Sequence, residues 1–274
     1  MFEFAKGFVK DVECMLEKEL STTQVEVFGV QATDLLQEGY SYATKDGGKR
    51  IRPICVYLGA LATDRAIGEK YDGLVRLATM VEMIHSYSLV HDDLPAMDDD
   101  DYRRGKLSTH KKFGEANGIL IGDGLLTKAM EIALSKPQDT LFTKSAHILS
   151  RGSLNMVTGQ ALDLADGDKD YMAVYALKTA QLIATSFEAG ATYMGAEEDD
   201  VKAIGEYGHH IGMAFQIADD LLDDGDNSLV KAVGREQSKN VLIEETMSAK
   251  ECAKKMSNSD MLTEFAQTLL KRKK

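Results

Sequence analysis

Apolar residues recur at helical spacing along most of the chain. Leu74, Leu77, Ala78, Val81, Ile84 and Leu89 form one such series ending at Asp92, and Val201, Ile204, Met213, Ile217 and Leu221 form another that runs up to Asp224. The intervals between the three prolines, Pro53, Pro95 and Pro137, are long and rich in Ala, Leu, Met, Glu and Lys, a composition that favours helix. Strand patterns are nearly absent. Residues 177–195 mix Ala, Gly, Ser and Thr with Leu, Ile and Phe, which predicts a helix packed closely on several sides. Segments 34–47 and 135–140 read as loops. With no Gly/Ser/Pro-rich linker, repeat or low-complexity tract, the pattern predicts an all-α fold in which residues 1–274 form a single large helical-bundle domain.

Charge sharpens this picture. The chain carries 44 acidic against 32 basic residues, a formal net charge of -12. Such acidity disfavours nucleic acid as a partner, because that binding depends on Lys and Arg displacing counterions from phosphates. The excess is local. Asp92, Asp93, Asp98, Asp99, Asp100 and Asp101 form one cluster and Asp219, Asp220, Asp223, Asp224 and Asp226 another, and these eleven aspartates account for all but one unit of the net charge. The three cysteines, Cys14, Cys55 and Cys252, lie too far apart for a zinc motif or a CxxC pair, which points to a reducing, cytoplasmic setting. Charged residues interrupt the first twenty positions, so no signal-peptide core is expected. No run is long and apolar enough to predict a membrane span.

Both acidic clusters terminate strongly apolar helices. Asp219 and Asp223 are four apart and share one helical face, where like charges are unfavourable unless a cation lies between them. Asp92 and Asp98 are six apart and would diverge on a straight helix. Pro95 resolves this, since a bulge holding two extra residues would return Asp98 to the side of Asp92. The segments lack the alternating ligands, central Gly and terminal Glu of an EF-hand, whereas a few carboxylates sharing a hard cation with water and phosphate is the habit of magnesium. Bases complete the set. Gly47, Gly48, Lys49, Arg50, Arg52 and Pro53 place three cations beside a Gly pair before a helix, an anion pocket of backbone donors and Arg forks, and Arg103 with Arg104 follows the first acidic cluster. Two kinds of anion site imply two phosphorylated substrates. Each residue also has a plainer reading: acidic runs are often solvated surface, His85 on an apolar face is more often core, and Thr179 or Gln216 can simply pack helices. Lys178 in an apolar helix is costly unless an anion pairs with it.

Together these segments resemble the trans-isoprenyl diphosphate synthases. HSYSLVHDDLPAMDDDDYRRG at 85–105 is similar to that family's first aspartate-rich motif in its bacterial form, and GGKRIRP at 47–53, GQALDL at 159–164, Lys178 with Thr179, and FQIADDLLD at 215–223 resemble its other signatures in the same order. The resemblance implies an isoprenoid-synthase bundle around a central active-site cavity, usually a homodimer. It also implies magnesium, three ions bound together with the allylic diphosphate, with Asp92, Asp98, Asp219 and Asp223 as metal ligands. By the same resemblance Arg103, Lys178, Thr179, Gln216 and Lys231 contact the allylic diphosphate or shield its carbocation, while Gly48, Lys49, Arg52, His85 and Arg104 form the isopentenyl diphosphate site. Asp92, Asp98, Arg103, Lys178, Asp219 and Lys231 are then the catalytic set. Tyr87 and Ser88, fifth and fourth before Asp92, lie about one turn below the diphosphate; a bulky Tyr87 resembles the aromatic floor of the farnesyl diphosphate synthases.

The implied reaction condenses isopentenyl diphosphate with dimethylallyl or geranyl diphosphate, with farnesyl diphosphate as main product. A geranylgeranyl diphosphate synthase with a deeper tunnel, and a non-catalytic subunit that modulates an active synthase, are the alternatives. After Asp224 the sequence departs from the family: Val230-Lys231 leads to Gly234, Arg235 and Glu236, and Asn240 is followed by Val241, so Glu236 and Lys239 stand as substitutes for an acidic group and a lysine found in relatives. The terminal Lys271, Arg272, Lys273 and Lys274 read either as a frayed helix end stabilised by its dipole or as a basic cap over an anionic site.

Overall fold

A computed structural model of the chain describes residues 2–21, 33–45, 48–222 and 228–270. The helices are α1 (Lys6–Ser21), α2 (Thr33–Lys45), α3 (Ile51–Leu61), α4 (Tyr71–Asp92), α5 (Thr109–Phe113), α6 (Glu115–Ala133), α7 (Thr140–Leu164), α8 (Tyr171–Tyr175), α9 (Gln181–Met194), α10 (Glu198–Leu222), α11 (Leu229–Val233), α12 (Arg235–Ala253) and α13 (Ser259–Leu270). A π-helical turn, Ala176–Ala180, joins α8 to α9. The described residues include one small sheet, the hairpin of β1 (Tyr102–Arg103) and β2 (Lys106–Leu107), paired Tyr102 to Leu107 and Arg103 to Lys106. The predicted all-α class holds.

The chain divides into two compact units, Met1–Ile54 with Val75–Asp139, and Cys55–Leu74 with Thr140–Lys274. In the first, Leu77, Ala78, Val81 and Ile84 of α4 are buried, as the periodicity predicts, and Leu89 is half-buried. The expected loop at 34–47 is instead α2 up to Lys45. Its Gly, Ser and Thr content reads as a turn, yet Tyr40 and Thr44 are buried, Gly39 lies against Ile121 of α6, and Thr44 Oγ1 donates back to the Tyr40 carbonyl. Packing outweighs local propensity there.

In the second unit α9 is buried along nearly its whole length and packs on both α7 and α10. Its Phe187 ring meets Tyr207 of α10 edge to face at 5.2 Å and Phe265 of α13 at 6.0 Å. Tyr207 Oη donates to the Leu262 carbonyl at 2.7 Å, which satisfies the one polar atom of a fully buried ring. The expected central helix is therefore real from Gln181 onward, whereas Leu177 to Ala180 form the π turn. Gly159 of α7 explains how that turn is accommodated: a Cβ there would lie 2.3 Å from the Lys178 backbone nitrogen. Only glycine permits this approach.

Candidate active site

The first acidic cluster begins where α4 stops. Asp93 N still bonds to the Leu89 carbonyl, but Asp98 N donates to the Asp92 carbonyl at 2.9 Å, closing a loop two residues longer than a helical turn around Pro95. This is the bulge expected from the spacing, and it joins Asp92 and Asp98 through their backbones. Asp93 does something else. It is 1% exposed and accepts a hydrogen bond from Arg103 Nε at 2.6 Å, with burial holding its carboxyl above the usual range while Arg103 pulls the other way. Asp100 lies 3.7 Å from the Arg103 guanidinium and Asp101 lies 2.7 Å from Lys111. Asp93, Asp100 and Asp101 are thus engaged by Arg103 and Lys111, while the backbone loop joins Asp92 and Asp98 at the end of α4.

That location is electrostatically unusual. Carboxylates at a helix C-terminus face the negative end of the helix dipole, and the second cluster repeats the arrangement, with Asp219 and Asp220 in the last turn of α10. Asp220 is held inward. It accepts from Tyr175 Oη, from Gln216 Nε2 at 3.1 Å and from the Leu229 amide at 3.3 Å. Tyr175 Oη also accepts from the Leu229 amide at 2.8 Å, so one carboxylate and one phenol tie α8, α10 and the start of α11 together. Burial and the Asp220 contact push the Tyr175 hydroxyl well above its ordinary range. Thr179 Oγ1 donates to Gln216 Oε1 at 2.8 Å and so belongs to the same network. Asp223, the expected fourth metal ligand, lies outside the described residues, as do Gly47 and the basic tail.

Lys178 meets an anion supplied by the protein itself. Its Nζ lies 2.6 Å from Asp163 Oδ2, in the segment 159–164, and Lys169 approaches the same carboxylate at 3.5 Å. Lys178 sits in the π turn, a local geometry that often marks functional positions. Gln160, which the sequence reading includes in a motif but gives no role, has both amide atoms buried without a hydrogen-bond partner among the described residues. Lys231 is exposed on α11. The substitute acid Glu236 is highly exposed on α12, 3.9 Å from Lys239.

The basic pocket gathers in the first unit. Arg104 forms the tight turn of the hairpin with Gly105, at φ values of 53° and 78°, a mirror-image turn matched to strand twist. A Cβ on Gly48 would lie 3.2 Å from Arg50 Nη1 and 3.3 Å from Arg104 Nη1. Arg50, however, is not an anion-binding group as the sequence suggests. It is 4% exposed and donates to Glu82 Oε1 at 2.7 Å and to the Thr44 carbonyl at 2.7 Å, a buried pair that anchors the loop before α3. Neither Glu82 nor the inward roles of Asp93 and Asp220 is marked by any sequence signal beyond their charge.

His85 reports on the pocket. Its Nδ1 is buried without a partner among the described residues, and burial followed by the positive charges of Arg52, Arg104, Arg103 and Arg50 holds its pKa well below 6.5. The imidazole is therefore neutral near pH 7. Because the unfolded ring takes up a proton as pH falls through 6.5 and the folded ring resists it, His85 should make the fold progressively less stable below that pH. Chemical denaturation across pH 5 to 8 should show a His85→Gln variant with a shallower acid loss than the parent; parallel profiles would contradict this. Arg52, Arg104, Arg103 and Arg50 all act on this one neutral ring, while Glu82 pairs with Arg50 and Asp93 with Arg103.

Magnesium suits the acidic ends by the chemistry of their donors. Among the described residues no group of three His, Cys, Asp or Glu side chains is arranged to hold a metal by itself. What stands at each helix end is a small set of hard carboxylate oxygens, which matches an ion that takes one or two carboxylates and fills its other positions with water and phosphate.

The profile of the polyprenyl synthetase family matches residues 33–267. A farnesyl diphosphate synthase of Bacillus subtilis is 37% identical over 228 residues, spanning 79% of this chain and 75% of that protein. A farnesyl diphosphate synthase of Geobacillus stearothermophilus is 39% identical over 219 residues, spanning 75% of this chain and 72% of that protein. Among solved structures, an FPP/GFPP synthase from Zymomonas mobilis superposes with a TM-score of 0.86 at 29% identity, covering 97% of both chains.

Proposed function

The chain belongs to the polyprenyl synthetase family, and from that premise we propose that it is a trans-prenyl diphosphate synthase whose main product is farnesyl diphosphate. The observation that carries this reading is that α4 and α10 each end in carboxylates, and that the first unit also holds a pocket of arginines around a neutral histidine. One kind of site suits a diphosphate held through metal, and the other suits a diphosphate gripped directly by cations.

Asp92, Asp98, Asp219 and Asp223 would hold magnesium, three ions in the finer form of the proposal. When bound, the metal neutralises charge on the departing pyrophosphate. Arg103, Lys178, Thr179, Gln216 and Lys231 hold the allylic diphosphate. Arg103 and Lys178 are kept in place by Asp93 and Asp163, so their charges are positioned in advance and need little reorganisation. Gly48, Lys49, Arg52, His85 and Arg104 hold isopentenyl diphosphate. In the reaction the allylic C–O bond breaks with its electron pair leaving on pyrophosphate, the alkene forms the new C–C bond, and a proton is lost to the released pyrophosphate. Apolar surroundings keep water from the cation.

Residues 1–274 are proposed to work as one polyprenyl synthase domain, a reading supported by unit boundaries that fall inside α3 and α4 and by a family match that spans both units. We also propose a homodimer, supported by the exposed Ile119, Leu120 and Met130 of α6. No described helix is long and apolar enough to cross a membrane, which supports a cytoplasmic location.

The test is turnover of the purified chain with magnesium, isopentenyl diphosphate and either dimethylallyl or geranyl diphosphate, with products resolved by length. Farnesyl diphosphate is expected from both; no turnover with either would favour the non-catalytic subunit. Tyr87, 6% exposed on α4, is proposed as the floor of the product tunnel beside Ser88, whose Oγ donates to the His85 carbonyl at 3.0 Å. Tyr87→Ala should shift the products toward longer chains, and an unchanged distribution would remove Tyr87 from that role.

A further inference from the structure

Tyr87 does not stand alone on α4. Its ring meets that of His91, one turn further on, edge to face, with centroids 5.8 Å apart and planes at 80°. His91 is in turn restrained from α6. Its Nε2 lies 3.1 Å from the Ile119 carbonyl oxygen. Since a carbonyl only accepts, that nitrogen carries the proton. Asp123 Oδ1 lies 3.8 Å from the same nitrogen.

Gly122 supplies the space. A Cβ on Gly122 would sit 2.1 Å from His91 Nε2 and 2.3 Å from Cδ2, so the imidazole occupies the volume that any larger residue would need. Glycine is a poor residue for a helix interior, and here it leaves room for the ring against the α6 backbone. Main chain, glycine and imidazole together brace the phenol from its Asp92 side.

We propose that His91, seated on Gly122 and Ile119, is a positioning residue that sets product length by fixing the Tyr87 ring. This rests on the reading of Tyr87 as the floor. An aromatic floor limits chain growth only if it resists displacement by the growing product. His91, pinned to a neighbouring helix, restricts rotation of the Tyr87 ring at the edge it touches. His91 contributes no contact to the reacting atoms, so its loss should alter where elongation stops rather than how fast the first condensation runs.

The experiment compares product lengths and first-condensation kinetics for the parent, Tyr87→Ala, His91→Ala, His91→Phe, Gly122→Ala and the Tyr87→Ala/His91→Ala pair, with melting temperatures recorded for each. His91→Ala and Gly122→Ala are expected to move the main product up by one isoprene unit while kcat/KM for the first condensation stays close to the parent's. His91→Phe keeps an aromatic ring but loses the bond to Ile119 and should give a mixture. The double variant should make products no longer than Tyr87→Ala alone, because His91 acts through Tyr87. If Tyr87→Ala lengthens the products while His91→Ala and Gly122→Ala leave them as in the parent, the positioning role is overturned and the floor stands. If Tyr87→Ala changes nothing, both fail together. Should His91→Ala not fold, Gly122→Ala and His91→Phe carry the same comparison.

Discussion

Asp92→Ala and Asp219→Ala are each expected to lower turnover by about 100- to 1000-fold or more, the scale of losing one group that stabilises charge developing in a transition state. The prediction is specific to the first acid of each pair. Asp93 is spent on Arg103, and Asp220 on Tyr175, Gln216 and the Leu229 amide. Replacing Asp220 with Ala strands the buried Tyr175 hydroxyl, and replacing Asp93 releases the half-buried Arg103, so both should show as lost stability, on the order of 1–3 kcal/mol and smaller for Asp93, together with any fall in rate. Steady-state assays at saturating magnesium, paired with denaturant titrations of all four variants, separate the two classes. Near-parental rates for Asp92→Ala or Asp219→Ala would contradict metal-assisted ionisation at these helix ends.

The largest expected effect on folding comes from Glu82→Ala. Arg50 and Glu82 have side chains only 4% and 3% exposed and meet at 2.7 Å. Removing the carboxylate leaves a buried guanidinium with the Thr44 carbonyl and a long contact of 3.4 Å to the half-exposed Glu13. Breaking one side of such a pair costs about 3–5 kcal/mol, and the melting temperature should fall by roughly 10 °C. Replacing both partners by apolar residues, Arg50→Met with Glu82→Leu, should recover most of the loss, since an apolar pair of similar volume needs no desolvation of charge. A thermal scan checks both. If Glu82→Ala melts with the parent, the pair is not what anchors the loop before α3.

How much of this was legible in the sequence depends on the range of the interaction. Periodicity locates α4 and α10 because a helix in contact with a core repeats its apolar face every few residues, whatever that core is. The two-residue excess around Pro95 is equally local, and it appears as the Asp98 to Asp92 bond. Segment 34–47 misleads because its composition favours turns, while the burial of Tyr40 and the seat of Gly39 on Ile121 are decided by α6, eighty residues away. The same limit hides the different fates of adjacent aspartates. Asp219 and Asp220 are alike by composition; Tyr175, 45 residues earlier, together with Gln216 and the Leu229 amide, holds the second inward. Arg50 looks like its neighbours Lys49 and Arg52 until Glu82 of α4 is seen against it.

Arg50, Asp99 and Arg104 share a further property: each has positive φ, at 51°, 52° and 53°. A side chain in the left-handed region costs of the order of 1 kcal/mol relative to glycine. All three sit in the acidic and basic clusters of the first unit, where glycine would relax the backbone at no steric cost. A protein selected for stability alone would have little reason to keep a long arginine at the tip of a two-residue hairpin. Its retention at Arg104 means that the apex of that turn trades conformational ease for a charge held in one direction. The most stable version of this chain and its most active version should therefore differ at residue 104.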